Sequence, residues 1–269
     1  MSSRIRFGCL VWLLACSLFI AIDSIAKDDA AKEGKKSAKK DESVSSKVAK
    51  ALLPSSVIPV PRDKEEDWMP RHDKLVQKAK ESTAELVFFG DSITEGMDPV
   101  QLKKIFGPSV ENFGIGGDRT QHLIWRFQHG ELDFKKDPKL MVMLIGTNNL
   151  RTWPGWPAST IPEILTGVKA DIAEAQKQLP DTKFLILGLL PRDQKANGVL
   201  RGGTKKVNEL LKSLPDNKRV FYIDIGDKLL EKDGTIADKI MPDYLHPSPD
   251  GYEVMFKAIK PTTDELLKK

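Results

Sequence analysis

The chain has 269 residues, 40% of them hydrophobic and 30% charged, with a net charge of +4. That is enough apolar material for one substantial α/β core. Most of the positive excess lies in residues 27–50, so the remainder is near neutral, which argues against nucleic-acid binding by a folded part.

Arg4 and Arg6 precede an apolar run over residues 7–22, followed by Ser24-Ile25-Ala26, whose small first and third residues suit a signal peptidase. Residues 1–26 are therefore expected to be a cleaved secretory signal, and the mature protein to be secreted or periplasmic. A membrane anchor is the alternative, but the run is short for a bilayer span and no second one follows, so stable membrane insertion is not expected. Cys16 in Leu14-Ala15-Cys16 faintly matches a lipoprotein attachment site, yet apolar residues continue past it where a polar tether would stand. Cys9 and Cys16 are the two cysteines. Signal cleavage would leave no disulfide, thiol nucleophile or cysteine metal site.

Residues 27–56 are Lys, Asp, Glu, Ser and Ala with almost no large apolar side chain, the composition of a disordered linker. Such a charge run is usually only solvated, and contact with an anionic envelope surface is the lesser alternative. Residues 57–269 are expected to form the single folded domain.

Within that domain, short apolar runs at 86–89, 110–113, 140–145, 184–190 and 220–225 predict five strands. Between and after them, Ile161, Ile164, Leu165, Val168, Ile172 and Ala175 follow helical spacing, as do Val207, Leu210, Leu211 and Leu214, and then Tyr252, Met255, Phe256 and Ile259. The alternation predicts an α/β fold with a five-stranded parallel sheet, helices on both faces, and ligands at the carboxyl ends of the strands.

Four loops at or near those ends carry the chemistry. The first strand runs into Gly90-Asp91-Ser92, where Ser92 is either a nucleophile or, through Ser92-Ile93-Thr94-Glu95, merely the N-cap of a capping box. The second leads into Asn112-Phe113-Gly114-Ile115-Gly116-Gly117-Asp118, which fails as a dinucleotide fingerprint because Arg119 occupies the third glycine position. It is either a tight turn or a place where a backbone N–H can approach a developing oxyanion. The third ends in Gly146-Thr147-Asn148-Asn149, and an asparagine amide can donate to the same oxyanion, although asparagine at a strand end is often only a turn residue. Near the C-terminus, Asp243 stands three residues before His246, close enough to accept its Nδ1–H and leave Nε2 as a base, unless the histidine is only bonded locally. Of the other histidines, His72 precedes the first strand, and His122 and His129 belong to the segment carrying Ile124 and Phe127. Asp118, His122 and His129 are too loosely specified for a metal site, so neither metal nor other cofactor is expected.

These segments, with Gly130-Glu131-Leu132 and Leu187-Gly188-Leu189-Leu190-Pro191-Arg192, resemble the SGNH or GDSL hydrolase family in order and spacing. Within it they resemble most the catalytic subunits of intracellular platelet-activating factor acetylhydrolase. The resemblance implies a three-layer flavodoxin-like sandwich and a serine esterase without a metal. It further implies Ser92, His246 and Asp243 as the catalytic triad, an oxyanion hole from the Ser92 and Gly117 N–H groups and the Asn148 side chain, and an acyl pocket walled by Ile93, Thr147 and Leu245 that would favour acetyl.

The sequence departs from that pattern in its signal and Lys-rich segment, and in an apparent insertion, Arg151-Thr152-Trp153-Pro154-Gly155-Trp156-Pro157, beside Asn148. Trp153 and Trp156 either stack on sugar rings or pack over the sheet edge. The expected substrate is a small-molecule or glycan ester, foremost an acetylated carbohydrate. A lipid acetylhydrolase or general short-chain esterase is the runner-up, and a non-catalytic glycan- or envelope-binding module on the same scaffold is the alternative of another class.

Overall fold

The computed structural model describes residues 53–268. The expected signal segment and nearly all of the expected linker lie outside them. The linker's expected end at Ser56 does not hold, because Ser56 is buried in a short helical turn. Its hydroxyl donates to the Glu163 carbonyl at 2.7 Å, and its own carbonyl accepts from the Thr120 hydroxyl at 2.8 Å. The folded part therefore begins before residue 57; polar composition hid a segment whose hydrogen bonds are made to distant residues.

Five strands, β1 (Leu86–Gly90), β2 (Val110–Gly114), β3 (Leu140–Leu144), β4 (Lys183–Leu187) and β5 (Val220–Ile223), pair in parallel in the order β2-β1-β3-β4-β5. Of the inner strands, β1 and β3 are apolar and buried throughout and β4 is buried from Phe184 on, whereas β2 and β5, the edges, are half-buried. Runs buried on both faces are what a covered parallel sheet requires. The order reverses between β1 and β3, so their carboxyl ends form the crevice in which such sheets bind ligands.

Seven α-helices are described: α1 (Trp68–Glu81), α2 (Ser92–Glu95), α3 (Pro99–Phe106), α4 (Thr120–Arg126), α5 (Ile161–Gln178), α6 (Val199–Leu211) and α7 (Pro249–Lys268). They pack in two groups, α3 against α7 and α4 against α5, which in turn meets α6. The fold is thus α/β with a five-stranded parallel sheet, as the sequence predicts.

β3 ends one residue before its apolar run does, and β4 and β5 end earlier still. At the end of β4, Leu189 N–H leaves the ladder for the Asn208 side chain at 2.7 Å. At the end of β5, Asp224 accepts the Gly226 N–H at 2.9 Å and turns the chain. The open edge of β2 is occupied by α1, from which Arg71 donates to the Gly114 carbonyl and Lys78 to that of Asn112. Cationic side chains on edge carbonyls block pairing with another strand.

Candidate active site

β1 runs directly into α2, and the turn between them sets Ser92. Asp91 has extended backbone geometry and its carboxylate accepts the Ile93 N–H at 3.0 Å, so Asp91 is the N-cap and Ser92 the first helical residue. The capping box centred on Ser92 is therefore corrected by one position. Glu95, expected to close it, instead accepts the Gly116 N–H at 2.6 Å and pairs with Arg71 at 2.7 Å. Relieved of capping, the Ser92 hydroxyl donates to His246 Nε2 at 2.8 Å. From α7, the Tyr252 hydroxyl donates to the Ile93 carbonyl at 2.8 Å and pins the turn from the other side.

Asp91 is fully buried, and burial pushes its carboxyl up to about 7. From the ordinary value of 3.8 up to about 7 the unfolded chain has released this proton while the folded chain keeps it, so rising pH subtracts stability across that window. Asp91→Asn retains the capping oxygen without the titration. Its melting temperature relative to wild type is expected to climb from acid to neutral pH, and a difference constant with pH would refute the assignment.

The loop carrying His246 is organised by Asp243. Its Oδ1 accepts the N–H groups of Leu245 at 3.1 Å and His246 at 2.7 Å, while Oδ2 accepts His246 Nδ1–H at 2.6 Å. Burial raises the Asp243 carboxyl, but these hydrogen bonds outweigh it and hold the group below the usual carboxylate range. Closing so short a loop places Tyr244 at φ +58°, a left-handed conformation uncommon for a bulky residue.

Opposite stand the two candidate oxyanion donors. Gly117 has φ +75°, a conformation that glycine adopts without penalty. The Asn148 amide donates one hydrogen to the Asp118 carbonyl at 3.0 Å, leaving its other for the cleft. Both line the same cleft of about 690 Å³ as Ser92, Asp243 and His246. A larger, shallow depression of about 850 Å³ along α1, lined by Lys74, Lys78, Glu81 and Glu111, contains no nucleophile beside a histidine.

Beneath these loops lies a buried charge network. Arg126 donates to Asp118 at 2.7 Å, to both Glu131 oxygens at 2.9 and 2.6 Å, and to the carbonyls of Gly90 and Phe113. It thereby ties the ends of β1 and β2 to the residue following Gly117. Asp118 also accepts Trp68 Nε1–H at 2.7 Å, and Glu131 pairs with His72 at 2.7 Å.

The proposed acyl wall is only partly in place. Leu245 lines the cleft, whereas Ile93 and Thr147 are buried and do not. Thr147 is occupied by Arg192, which donates to its carbonyl at 2.9 Å and its hydroxyl at 3.1 Å and itself lines the cleft beside Leu200.

The two tryptophans also separate. Trp153 and Trp156 exchange backbone hydrogen bonds of 2.8 Å across Pro154-Gly155, with Gly155 at φ +78°, as a type II turn requires. Trp156 packs edge-to-face on His122, with centroids 4.5 Å apart. Trp153 stays 42% exposed, lines the cleft and lies under the Arg151 guanidinium, 4.7 Å from its ring centroid. At its root the loop is pinched by Ser159 N–H donating to the Asn149 carbonyl at 2.8 Å. From inside, the buried Arg119 donates to the carbonyls of Arg151, Trp156 and Pro157 at 2.6, 3.0 and 2.7 Å.

Sequence reasoning did not assign roles to Arg119, Arg126, Arg151 or Arg192. The one signal present was Arg119 itself, a large cation where a dinucleotide fold needs glycine. Of the looser metal candidates, His122 accepts the Arg119 N–H at 3.1 Å and is pushed well below its ordinary pKa by burial, while His129 stacks on Trp125. Among the described residues no group of three or more His, Cys, Asp or Glu could hold a metal ion. Nor is any described helix long and apolar enough to cross a membrane.

A model of the GDSL-like lipase/acylhydrolase family matches residues 88–254. Bovine platelet-activating factor acetylhydrolase IB subunit alpha1 is 36% identical over 195 residues, covering 71% of this chain and 80% of its own. Among solved structures, a putative platelet activating factor from Streptococcus pneumonia aligns with a TM-score of 0.56 and 25% identity, covering 75% of this chain and 95% of its own. An acetyl-xylooligosaccharide esterase from Geobacillus Stearmophilus aligns with a TM-score of 0.53 and 17% identity, covering 67% and 94%.

Proposed function

Since the chain belongs to the GDSL-like lipase/acylhydrolase family and is an ester hydrolase, we propose that it removes acetyl groups from carbohydrate hydroxyls using Ser92, His246 and Asp243. The observation that carries this reading is the unbroken hydrogen-bonded line from Ser92 Oγ through both His246 ring nitrogens to Asp243 Oδ2, at 2.8 and 2.6 Å. Ser92 attacks the ester carbonyl as His246 Nε2 takes its proton. The ring then returns that proton to the departing alcohol, and water repeats the sequence to release acetate. Asp243 fixes the ring's tautomer and stabilises the imidazolium. The developing oxyanion is held by the N–H groups of Ser92 and Gly117 and by the Asn148 amide. Asn148→Ala is expected to lower kcat by about 10²- to 10³-fold with KM little changed, the usual cost of one such donor.

The acyl group is small because Leu245 and Leu200 stand in the cleft wall, and the exposed Trp153 ring suits the apolar face of a sugar. The acetyl-xylooligosaccharide esterase of like fold accords with this choice. An acetylated lipid is the second reading, favoured by the identity to the bovine acetylhydrolase subunit. Export rests on the basic, apolar and small-residue order of residues 1–26. A serine-reactive fluorophosphonate should label Ser92 and stop hydrolysis of an aryl acetate. Failure to label Ser92 would overturn the catalytic reading and favour a binding module. Faster release of acetate from an acetyl-phospholipid than from an acetylated oligosaccharide would overturn the carbohydrate assignment.

A further inference from the structure

Two guanidinium groups, those of Arg151 and Arg192, line the cleft that holds Ser92 and His246. They come from separate loops, one following β3 and the other following β4. Arg192 is nearly buried and spends only Nη1 on protein, at Thr147; its Nε and Nη2 have no protein partner among the described residues. Arg151 is exposed and its guanidinium lies over the Trp153 ring, while among the described residues no carboxylate pairs with it. The two cations are near enough for Arg151 to depress the Arg192 pKa, behind the larger effect of burial.

The carboxylates sharing the cleft are otherwise engaged. Asp243 serves His246, and Asp193 accepts the N–H groups of Leu200 and Arg201 at 2.8 and 3.2 Å, at the start of α6. Asp91, Asp193 and Asp243 offset part of the Arg192 charge through space, but none of them hydrogen-bonds its Nε or Nη2 and none pairs with Arg151, so a neutral sugar ester would leave these guanidinium donors without an anionic acceptor. Guanidinium forks bind carboxylate and phosphate oxygens through paired hydrogen bonds.

Resting on the esterase reading above, we propose that the acetylated substrate is an anionic sugar, whose acidic group sits between Arg151 and Arg192 while its ring lies on Trp153. Arg151 sets this selectivity most directly, since it is exposed, spends no side-chain hydrogen bond on the scaffold and can be changed without opening the core. Arg192 also holds Thr147, beside Asn148, and its replacement would disturb the oxyanion side as well.

The test is steady-state acetate release by the purified protein from acetylated methyl glucoside, the matching glucuronoside and the matching 6-phosphate, with an aryl acetate as reference. Wild type is expected to prefer at least one acidic ester over the neutral one by about tenfold or more in kcat/KM, the preference shrinking as salt rises. The better of the two acidic arms identifies a carboxylate or a phosphate as the anion. Arg151→Gln should reduce the acidic-to-neutral ratio at least about fivefold, and Arg151→Lys should keep most of it. A wild-type ratio near one, or a ratio unchanged in Arg151→Gln, overturns the proposal, as does turnover of the aryl acetate without any sugar ester. Absence of aryl acetate hydrolysis would instead overturn the esterase reading itself.

Discussion

Ser92→Ala is expected to lower kcat on an aryl acetate by about four orders of magnitude or more while the melting temperature stays close to that of wild type. The activity loss follows from removing the attacking atom, since the oxyanion donors and His246 alone give only residual catalysis. Unchanged stability is the more particular half of the prediction. Were Ser92 the helix cap, alanine would cost about 1 kcal/mol. In the structure that duty falls to Asp91, whose carboxylate accepts the Ile93 N–H, and the Ser92 hydroxyl bonds only the exposed edge of His246. Kinetics and thermal denaturation of the same preparation check both halves. A Ser92→Ala protein within tenfold of wild-type activity would sink the mechanism.

Arg126→Met is expected to cost about 3–5 kcal/mol of unfolding free energy at neutral pH, measured by urea denaturation. Arg126 is completely buried, and its departure takes the shared cation from the carboxylates of Asp118 and Glu131, also completely buried, leaving Asp118 the Trp68 N–H and Arg62 at 3.3 Å and leaving Glu131 His72. Burial already pushes the Asp118 carboxyl up even with Arg126 beside it. Without that cation Asp118 would hold its proton more tightly still in the folded chain, so the variant should regain stability as pH falls from 7 towards 5. A loss below about 1 kcal/mol, or one insensitive to pH, would show that the network relaxes around the gap.

The strands and the Asp243–His246 pair were legible in the sequence because each leaves a local mark, whereas the pairing of Ser92 with His246, 154 residues on, rested on the resemblance of the motifs to the SGNH or GDSL family. Runs such as Leu86–Phe89 admit few alternatives once the flanking glycines and aspartates are counted, and Asp243 lies three residues from His246. What could not be read were side chains whose partners lie far along the chain. Arg119 reaches carbonyls 32 to 38 residues away and Arg192 reaches Thr147 45 residues back, contacts that follow no helical or strand period. The Ser92 capping box failed for a finer reason: Asp91 and Ser92 are both good caps, and only backbone geometry decides between neighbours. Thr147 and Ile93 were assigned to the acyl wall by position in a motif, which does not report that Arg192 stands between Thr147 and the cleft.

The hydrogen bond from Ser159 to Asn149 closes the tryptophan loop at its neck before the chain enters α5. The carbonyls of Arg151, Trp156 and Pro157 must stay to satisfy the buried Arg119, but the tip between them, residues 152–155, can be exchanged or lengthened without moving the strand or helix on either side, and doubling the loop's length would add only about 0.6 kcal/mol of closure entropy. Asn148 stands just before the neck, on the scaffold side. Substrate range and catalytic competence therefore sit on separately mutable pieces of chain, and exchanging the tip over residues 152–155 becomes a practical way to redirect this esterase.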